Sequence, residues 1–281
     1  MSTRIFFPFI LVILFAGCGG DRSGGRIVFQ SNRDGNFELY VMNAKGENQR
    51  RITNSPANDV TPSWSPDGKR ILFASDRDGN WEIYTVFPDG SHPTRLTTPP
   101  GANTAPSWAA GGEKILFVST RDAVNGDLYL MDADGQDVQR VSADPSVKDT
   151  PVMTPDGNIV LFTMNEKGRL AIAAYSVPEK SVRVLTSANC NSMNPSIEAD
   201  GQVVFSSDQA GNLDLYTMTV SGENIVRLTT NEDAERTPAW AHGGQSIIYA
   251  RRGGLHMLAL DNRTDIALST KGDIYPHWTP H

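Results

Sequence analysis

An all-β chain folded as one six-bladed β-propeller, with four-stranded antiparallel blades, is predicted by three observations. The apolar triplets Ile27-Val28-Phe29, Ile71-Leu72-Phe73, Ile115-Leu116-Phe117, Val160-Leu161-Phe162, Val203-Val204-Phe205 and Ile247-Ile248-Tyr249 recur at spacings of 44, 44, 45, 43 and 44 residues. A fixed period in this range marks a repeat architecture. Each unit then divides into four short segments of alternating pattern, separated by Gly, Asp and Asn turns. Finally, the chain lacks the longer stretches of 3.6-residue periodicity that a helical repeat needs.

The elements follow in order. Residues 1–17 carry one charge, Arg4, followed by the apolar run Ile5–Ala16, which is too short to span a bilayer and reads as the core of a signal peptide. Small residues precede Cys18, so the segment resembles a bacterial lipoprotein signal, with Cys18 as the lipid attachment site. Residues 18–25 are then a flexible, Gly-rich tether. The propeller is expected over residues 26–281. Its first segment, from Arg26, matches the second strand of a unit, while the last, Tyr275-Pro276-His277-Trp278-Thr279, matches a first strand without followers. The C-terminal strand should therefore complete the first blade and close the ring. A four-stranded blade cannot bury both faces alone, but radial stacking buries them.

Within a unit, a short strand leads to a turn such as Arg33-Asp34-Gly35-Asn36 or Arg77-Asp78-Gly79-Asn80. An alternating strand follows, ending near Tyr40, Tyr84, Tyr129 or Tyr216. The fourth unit departs most, with Glu166-Lys167-Gly168 and no tyrosine in that column, and the sixth has the shortened turn Arg251-Arg252-Gly253-Gly254.

The formal net charge of −7 becomes one unit more negative when the leader is removed, and Lys/Arg runs never exceed two. Phosphate-backbone binding draws on a basic stripe, so nucleic acid is not an expected partner. Loss of the lipidated Cys18 from the thiol count leaves Cys190 alone, and no intrachain disulfide is expected. No cofactor or metal is expected, and the protein should be a monomer.

The column Trp64, Trp108, Trp240 and Trp278 also holds Met153 and Ile197. A buried tryptophan is worth about 4 to 6 kcal/mol, and a column tolerating Met and Ile reads as packing between blades. The Asp-Arg-Asp-Gly-Asn turns offer two carboxylates around an arginine, fewer oxygens than a calcium loop uses, and read as hairpin turns.

The stretch Pro62–Tyr84, PSWSPDGKRILFASDRDGNWEIY, resembles the repeat of TolB-like propellers, which are related to the propeller of prolyl oligopeptidases. The resemblance covers all six units. It implies a cell-envelope protein whose channel mouth receives segments of a partner. Peptidase chemistry would need a Gly-x-Ser-x-Gly elbow on an α/β domain, and that motif is not in the sequence.

Three residues before the proline column (Pro62, Pro106, Pro151, Pro195, Pro238, Pro276) stand Asp59, Asn103, Lys148, Ser192, Glu235 and Asp273, with Asp149 and Arg236 beside them. These eight are the candidate partner-binding residues, forming a polar ring at the channel mouth or else a solvated rim. The expected function is a binding module, lipid-anchored in the bacterial envelope at the outer membrane or periplasmic face, that engages an envelope protein or peptide, or a glycan. The alternative is a propeller lyase or hydrolase acting on a polysaccharide or lactone. It would use a channel metal or an acidic site built from His277, Asp59, Glu235 and Asp273, since His277 is the one histidine on an innermost strand. A purely structural lipoprotein is a third reading.

Overall fold

The computed structural model describes residues 25–142, 148–241 and 243–279. Cys18 and most of the tether, together with His242 and His281, lie outside the described residues, as does the side chain of Lys148.

The described residues form six four-stranded antiparallel sheets arranged as a propeller. The innermost strands are Asp273–Trp278 in blade 1, Asp59–Trp64 in blade 2, Asn103–Ala109 in blade 3, Lys148–Met153 in blade 4, Ser192–Ile197 in blade 5 and Glu235–Ala241 in blade 6. The ring closes as the strand order predicts. Asp273–Trp278 pairs with Arg26–Ser31 in the register Ile27 to Trp278 and Ser31 to Asp273. Beyond the last pair, the Thr279 N–H donates to the Arg26 carbonyl at 2.9 Å, and the Arg26 N–H returns a bond to the Thr279 hydroxyl at 3.0 Å. The chain ends are thereby joined within one sheet, which leaves no seam between blades.

The second and third strands supply the core. Their apolar residues point alternately to the two faces of a blade, and each face meets the adjoining blade in its own cluster. Val28, Leu39 and Ile52 of blade 1 pack on Trp64, Ile71 and Phe73 of blade 2, and five further clusters fill the other interfaces. The tryptophan column belongs to this packing, as its composition predicts. The Trp108 indole donates to the Ser63 carbonyl of blade 2 at 3.3 Å, and Trp240 to the Ser196 carbonyl of blade 5 at 3.1 Å. Each therefore fastens its own blade to the one before.

The aromatic columns have a simple origin too. Phe29 faces Tyr40, Phe73 faces Tyr84, Phe117 faces Tyr129 and Phe205 faces Tyr216 across neighbouring strands. Their rings stack with centroids 5.7 to 5.8 Å apart. Blade 4 sets Phe162 opposite Ala173, and its hairpin turns through Lys167 and Gly168, both left-handed.

Candidate functional site

In the five blades where its side chain is described, the first residue of the innermost strand is buried. Asp59 is 0% exposed and takes two bonds of 2.8 Å from one guanidinium nitrogen of Arg77. Asp273, equally buried, takes bonds of 2.6 and 2.7 Å from Arg33. Asn103 accepts from Arg121 at 3.1 Å and donates to Glu82 at 2.8 Å, while the Ser192 hydroxyl donates to Ser207 at 3.0 Å. Glu235 is held by the Thr229 hydroxyl, by Asn231 and by Arg251. Burial pushes the Asp59 and Glu235 carboxyls above their ordinary values against these bonds. Asp59, Asp273 and Ser192 tie the inner strand to its own blade, Asn103 and Glu235 also bond to the blade before, and the five form no open ring at the mouth.

The same contacts explain the Asp-Arg-Asp-Gly-Asn turns. Arg77 reaches back to Asp59, Asp78 accepts from the Tyr84 hydroxyl and pairs with Arg95, and Asn80 donates to the Gly101 carbonyl of the next loop. Gly79 takes φ 83° where the hairpin closes, a conformation that suits glycine.

A bulge re-aims the inner strand. In blade 2, Val60 pairs with Ala74 but Ser63 pairs with Leu72, so one extra residue is inserted; all five other blades show a shift at the corresponding place. The residue before the proline is left-handed in every blade: Thr61 (50°), Ala105 (47°), Thr150 (47°), Asn194 (55°), Thr237 (49°) and Tyr275 (51°). Each such non-glycine conformation costs roughly 1–3 kcal/mol and persists where the surroundings enforce it. Adjoining blades do so here. The Thr61 N–H donates to the Gln30 side chain at 2.6 Å, and the Asn194 N–H donates to the Thr163 hydroxyl at 3.0 Å. Proline has no N–H to lose from the ladder, so it sits at the bulge without an orphaned donor.

The consequence is a channel with two chambers. The larger, of about 500 Å³, lies toward the tryptophan end and is lined by the proline column and by residues including Trp108, Met153, Ile197 and His277. The smaller, of about 240 Å³, lies at the mouth and is lined by Gln30, Val60, Thr61, Trp81, Thr104, Ala105, Asp149 and Tyr275. Tyr275, the bulkiest of the six left-handed residues, lines both. Its phenol pKa is raised by burial and by the nearby Asp149 carboxylate, with Asn194 acting in the opposite sense.

The mouth is therefore ringed by residues two before the proline, one place further along than the buried column. They are Val60, Thr104, Asp149, Met193, Arg236 and Ile274, of which only Asp149 and Arg236 are charged and exposed. Asp149 is open to water yet surrounded by protein, and this loss of solvent raises its pKa; the Thr150 N–H, donating at 2.8 Å, opposes the shift. Tyr275, Trp81 and Gln30 were not among the residues expected from sequence. Tyr275 could have been found as the odd member of a column otherwise made of Thr, Ala and Asn.

His277 does line the channel, but it stands apart from the three acids grouped with it. Its Nδ1 accepts from the Trp64 N–H at 3.2 Å, and its Nε2 lies 3.4 Å from the Ser63 hydroxyl. Burial lowers its pKa to about 4, so the ring is neutral near pH 7. Asp59 and Asp273 are engaged by arginines of their own blades, and Glu235 by Arg251 and by Thr229 and Asn231 of the preceding segment, and none is hydrogen-bonded to His277.

A family model described as the TolB β-propeller domain matches residues 21–98 and 78–240, most of the chain. The chain belongs to the TolB β-propeller family. It is 34% identical over 115 residues to the Tol-Pal system protein TolB of Anaeromyxobacter dehalogenans, covering 41% of this chain and 26% of that protein. A TolB homolog of Chlorobaculum tepidum is 51% identical over 51 residues, covering 17% of this chain and 12% of the relative. The matched regions thus span about a third or less of these TolB relatives. The crystal structure of TolB from Acinetobacter baumannii superposes with a TM-score of 0.80 at 25% identity, covering 92% of this chain and 67% of that one. More distant likenesses to the TolB-type propeller include enzymes, among them an oligogalacturonate lyase in complex with manganese, at 14% identity and a TM-score of 0.57; this likeness is one of fold alone.

Proposed function

We propose that the protein is a cell-envelope binding module that receives a segment of a protein or peptide partner at the mouth of its propeller channel, and that Cys18 anchors it to the membrane through lipid. The observation that carries this reading is the mouth itself. A rigid ring presents two exposed charges of opposite sign, Asp149 and Arg236, neither in an ion pair among the described residues, above a chamber of about 240 Å³. Groups of this kind supply orientation and specificity in a concave site. Membership of the TolB family supports the envelope location, and the Tol-Pal name of a relative supports a protein partner. The burial of Asp59, Glu235 and Asp273 moves the contact to the neighbouring mouth position. The lyase or hydrolase alternative is weakened by the separation of His277 from those acids.

The test is a crosslinking pull-down from membranes with the native chain and an Asp149→Ala/Arg236→Ala variant. Both side chains are exposed, so the variant should melt with the native chain. One envelope protein should be captured by the native chain and lost by the variant; equal capture by both would place the partner elsewhere.

A further inference from the structure

The smaller chamber, at the mouth, has a chemistry of its own. The Asp149 carboxylate faces water inside a protein-walled space, and its one hydrogen bond among the described residues comes from the adjacent Thr150 N–H. Among the described residues, the other polar side chains lining the chamber are neutral: Gln30, Thr61, Thr104 and the Tyr275 phenol. The Gln30 oxygen is already committed to the Thr61 N–H. A carboxylate that faces water inside a protein-walled space, with no cation paired to it among the described residues, is a favourable seat for an entering positive charge.

Two aromatic side chains, Trp81 and Tyr275, share the same walls. Aromatic faces attract cations through the ring quadrupole, by about 0.5 to 2 kcal/mol, and a carboxylate joined to such faces is a recurring receptor for organic ammonium groups. A calcium-like ion instead takes six to eight oxygen ligands, and no group of three His, Cys, Asp or Glu side chains gathers among the described residues.

We propose that this chamber binds an ammonium group, with Asp149 as counter-ion and Trp81 and Tyr275 as walls. The inference rests on the reading of the mouth as the partner site and names the chemistry of the inserted segment: a lysine side chain or a free N-terminal amine. Arg236, two blades away on the same ring, repels that charge from its own side and so fixes where it enters.

The test is NMR of the protein with labelled tyrosine rings, the Tyr275 signal being assigned by its loss in Tyr275→Phe. Three probes are titrated: Nα-acetyl-lysine N-methylamide for the side-chain amine, glycylglycine amide for the terminal amine, and 1-butanol as the neutral control. At least one amine should shift the Tyr275 signal saturably while butanol does not. Asp149→Asn, which keeps an acceptor for the Thr150 N–H, should weaken that binding at least tenfold. Saturation by the first amine alone identifies a lysine, and by the second alone a chain terminus. The proposal is overturned if neither amine shifts the signal, if butanol shifts it equally, or if Asp149→Asn responds as the native chain does. Should the ammonium site fail while the pull-down still loses its partner in the double variant, the mouth remains the partner site with a different chemistry.

Discussion

In blade 2 the inner strand is clamped from the hairpin: Arg77 reaches Asp59 while lying over Phe73 and Tyr84, at 5.4 and 4.8 Å from the ring centroids. Blade 5 has Gln209 in place of that arginine, Ser192 in place of the aspartate and Ala210 in place of Asp78. The frame is nevertheless the same. Phe205 and Tyr216 stack at 5.8 Å, against 5.7 Å in blade 2. The hydroxyl latches match, Thr229 accepting from the Leu215 N–H at 2.9 Å and Thr97 from the Ile83 N–H at 2.8 Å. The pair between third and fourth strands is also kept, Asp214 with Arg227 and Glu82 with Arg95. Apolar stacking and backbone pairing thus suffice to build a blade, and the Arg77–Asp59 clamp is added to a frame that stands without it.

The largest effect should come from the frame. Trp64 is 1% exposed and fills the contact between blades 1 and 2, so Trp64→Ala should cost about 3 to 5 kcal/mol. Its counterpart in blade 5, Ile197, is half-buried, and Ile197→Ala should cost about 1 to 2 kcal/mol. Urea unfolding of the two variants checks the order; equal losses would show that the two interfaces carry the same load.

Next comes the clamp. Arg77→Ala leaves Asp59 buried without its cation and should cost about 3 kcal/mol at pH 7, whereas Gln209→Ala in blade 5 should stay within about 0.5 kcal/mol. The sign of the pH dependence follows from Asp59. Burial already raises its pKa in the native fold, and loss of Arg77 raises it further. A carboxyl with a raised folded pKa penalises the fold when ionised and ceases to do so as falling pH protonates it. The gap between native chain and Arg77→Ala should therefore narrow on acidification through the carboxylate range. A gap that widens toward low pH would mean that removing Arg77 lowers the Asp59 pKa, so that the guanidinium does not stabilise the anion. The double variant Asp59→Ser/Arg77→Gln, which copies blade 5, should recover much of the loss.

The contrast also shows why the architecture was readable while the mouth was not. Period, strand order, closure by His277 and Trp278, and the tryptophan packing each leave a column in the sequence. The inward direction of the inner strand depends on a bulge, and counting alternation back from Pro62 gives no sign that Thr61 is an inserted, left-handed residue. The polar column at Asp59 consequently reads as a rim, though its described side chains are buried and the next residue forms the mouth. A usable signal did exist within the repeats. Four residues after the Phe column stand Arg33, Arg77, Arg121, Glu166 and Gln209, and their counterparts at the strand start are Asp273, Asp59, Asn103, Lys148 and Ser192. Opposite or absent charges go together at Arg33 with Asp273, Arg77 with Asp59, Glu166 with Lys148 and Gln209 with Ser192, as expected of residues in contact, whereas Arg121 keeps its charge beside the neutral Asn103.

The smallest effect separates the outer ends of the two hairpins. The Tyr84 hydroxyl donates to Asp78, which also pairs with Arg95 at 2.9 Å, so one phenol joins the turn to the outermost strand. Blade 5 has Ala210 in the position of Asp78, so its tyrosine hydroxyl has no carboxylate at that place to serve. Tyr84→Phe keeps the ring stacked on Phe73 and removes only this bond. It should cost about 1 kcal/mol, within the range for a hydrogen bond to a charged group that stays partly solvated. Tyr216→Phe should cost less than about 0.5 kcal/mol, because the ring supplies the packing and the hydroxyl adds little. Equal losses in thermal unfolding would show that the phenol contributes through its ring surroundings in both blades. A loss confined to Tyr84→Phe, and reduced when Asp78→Ala is already present, would assign it to the turn.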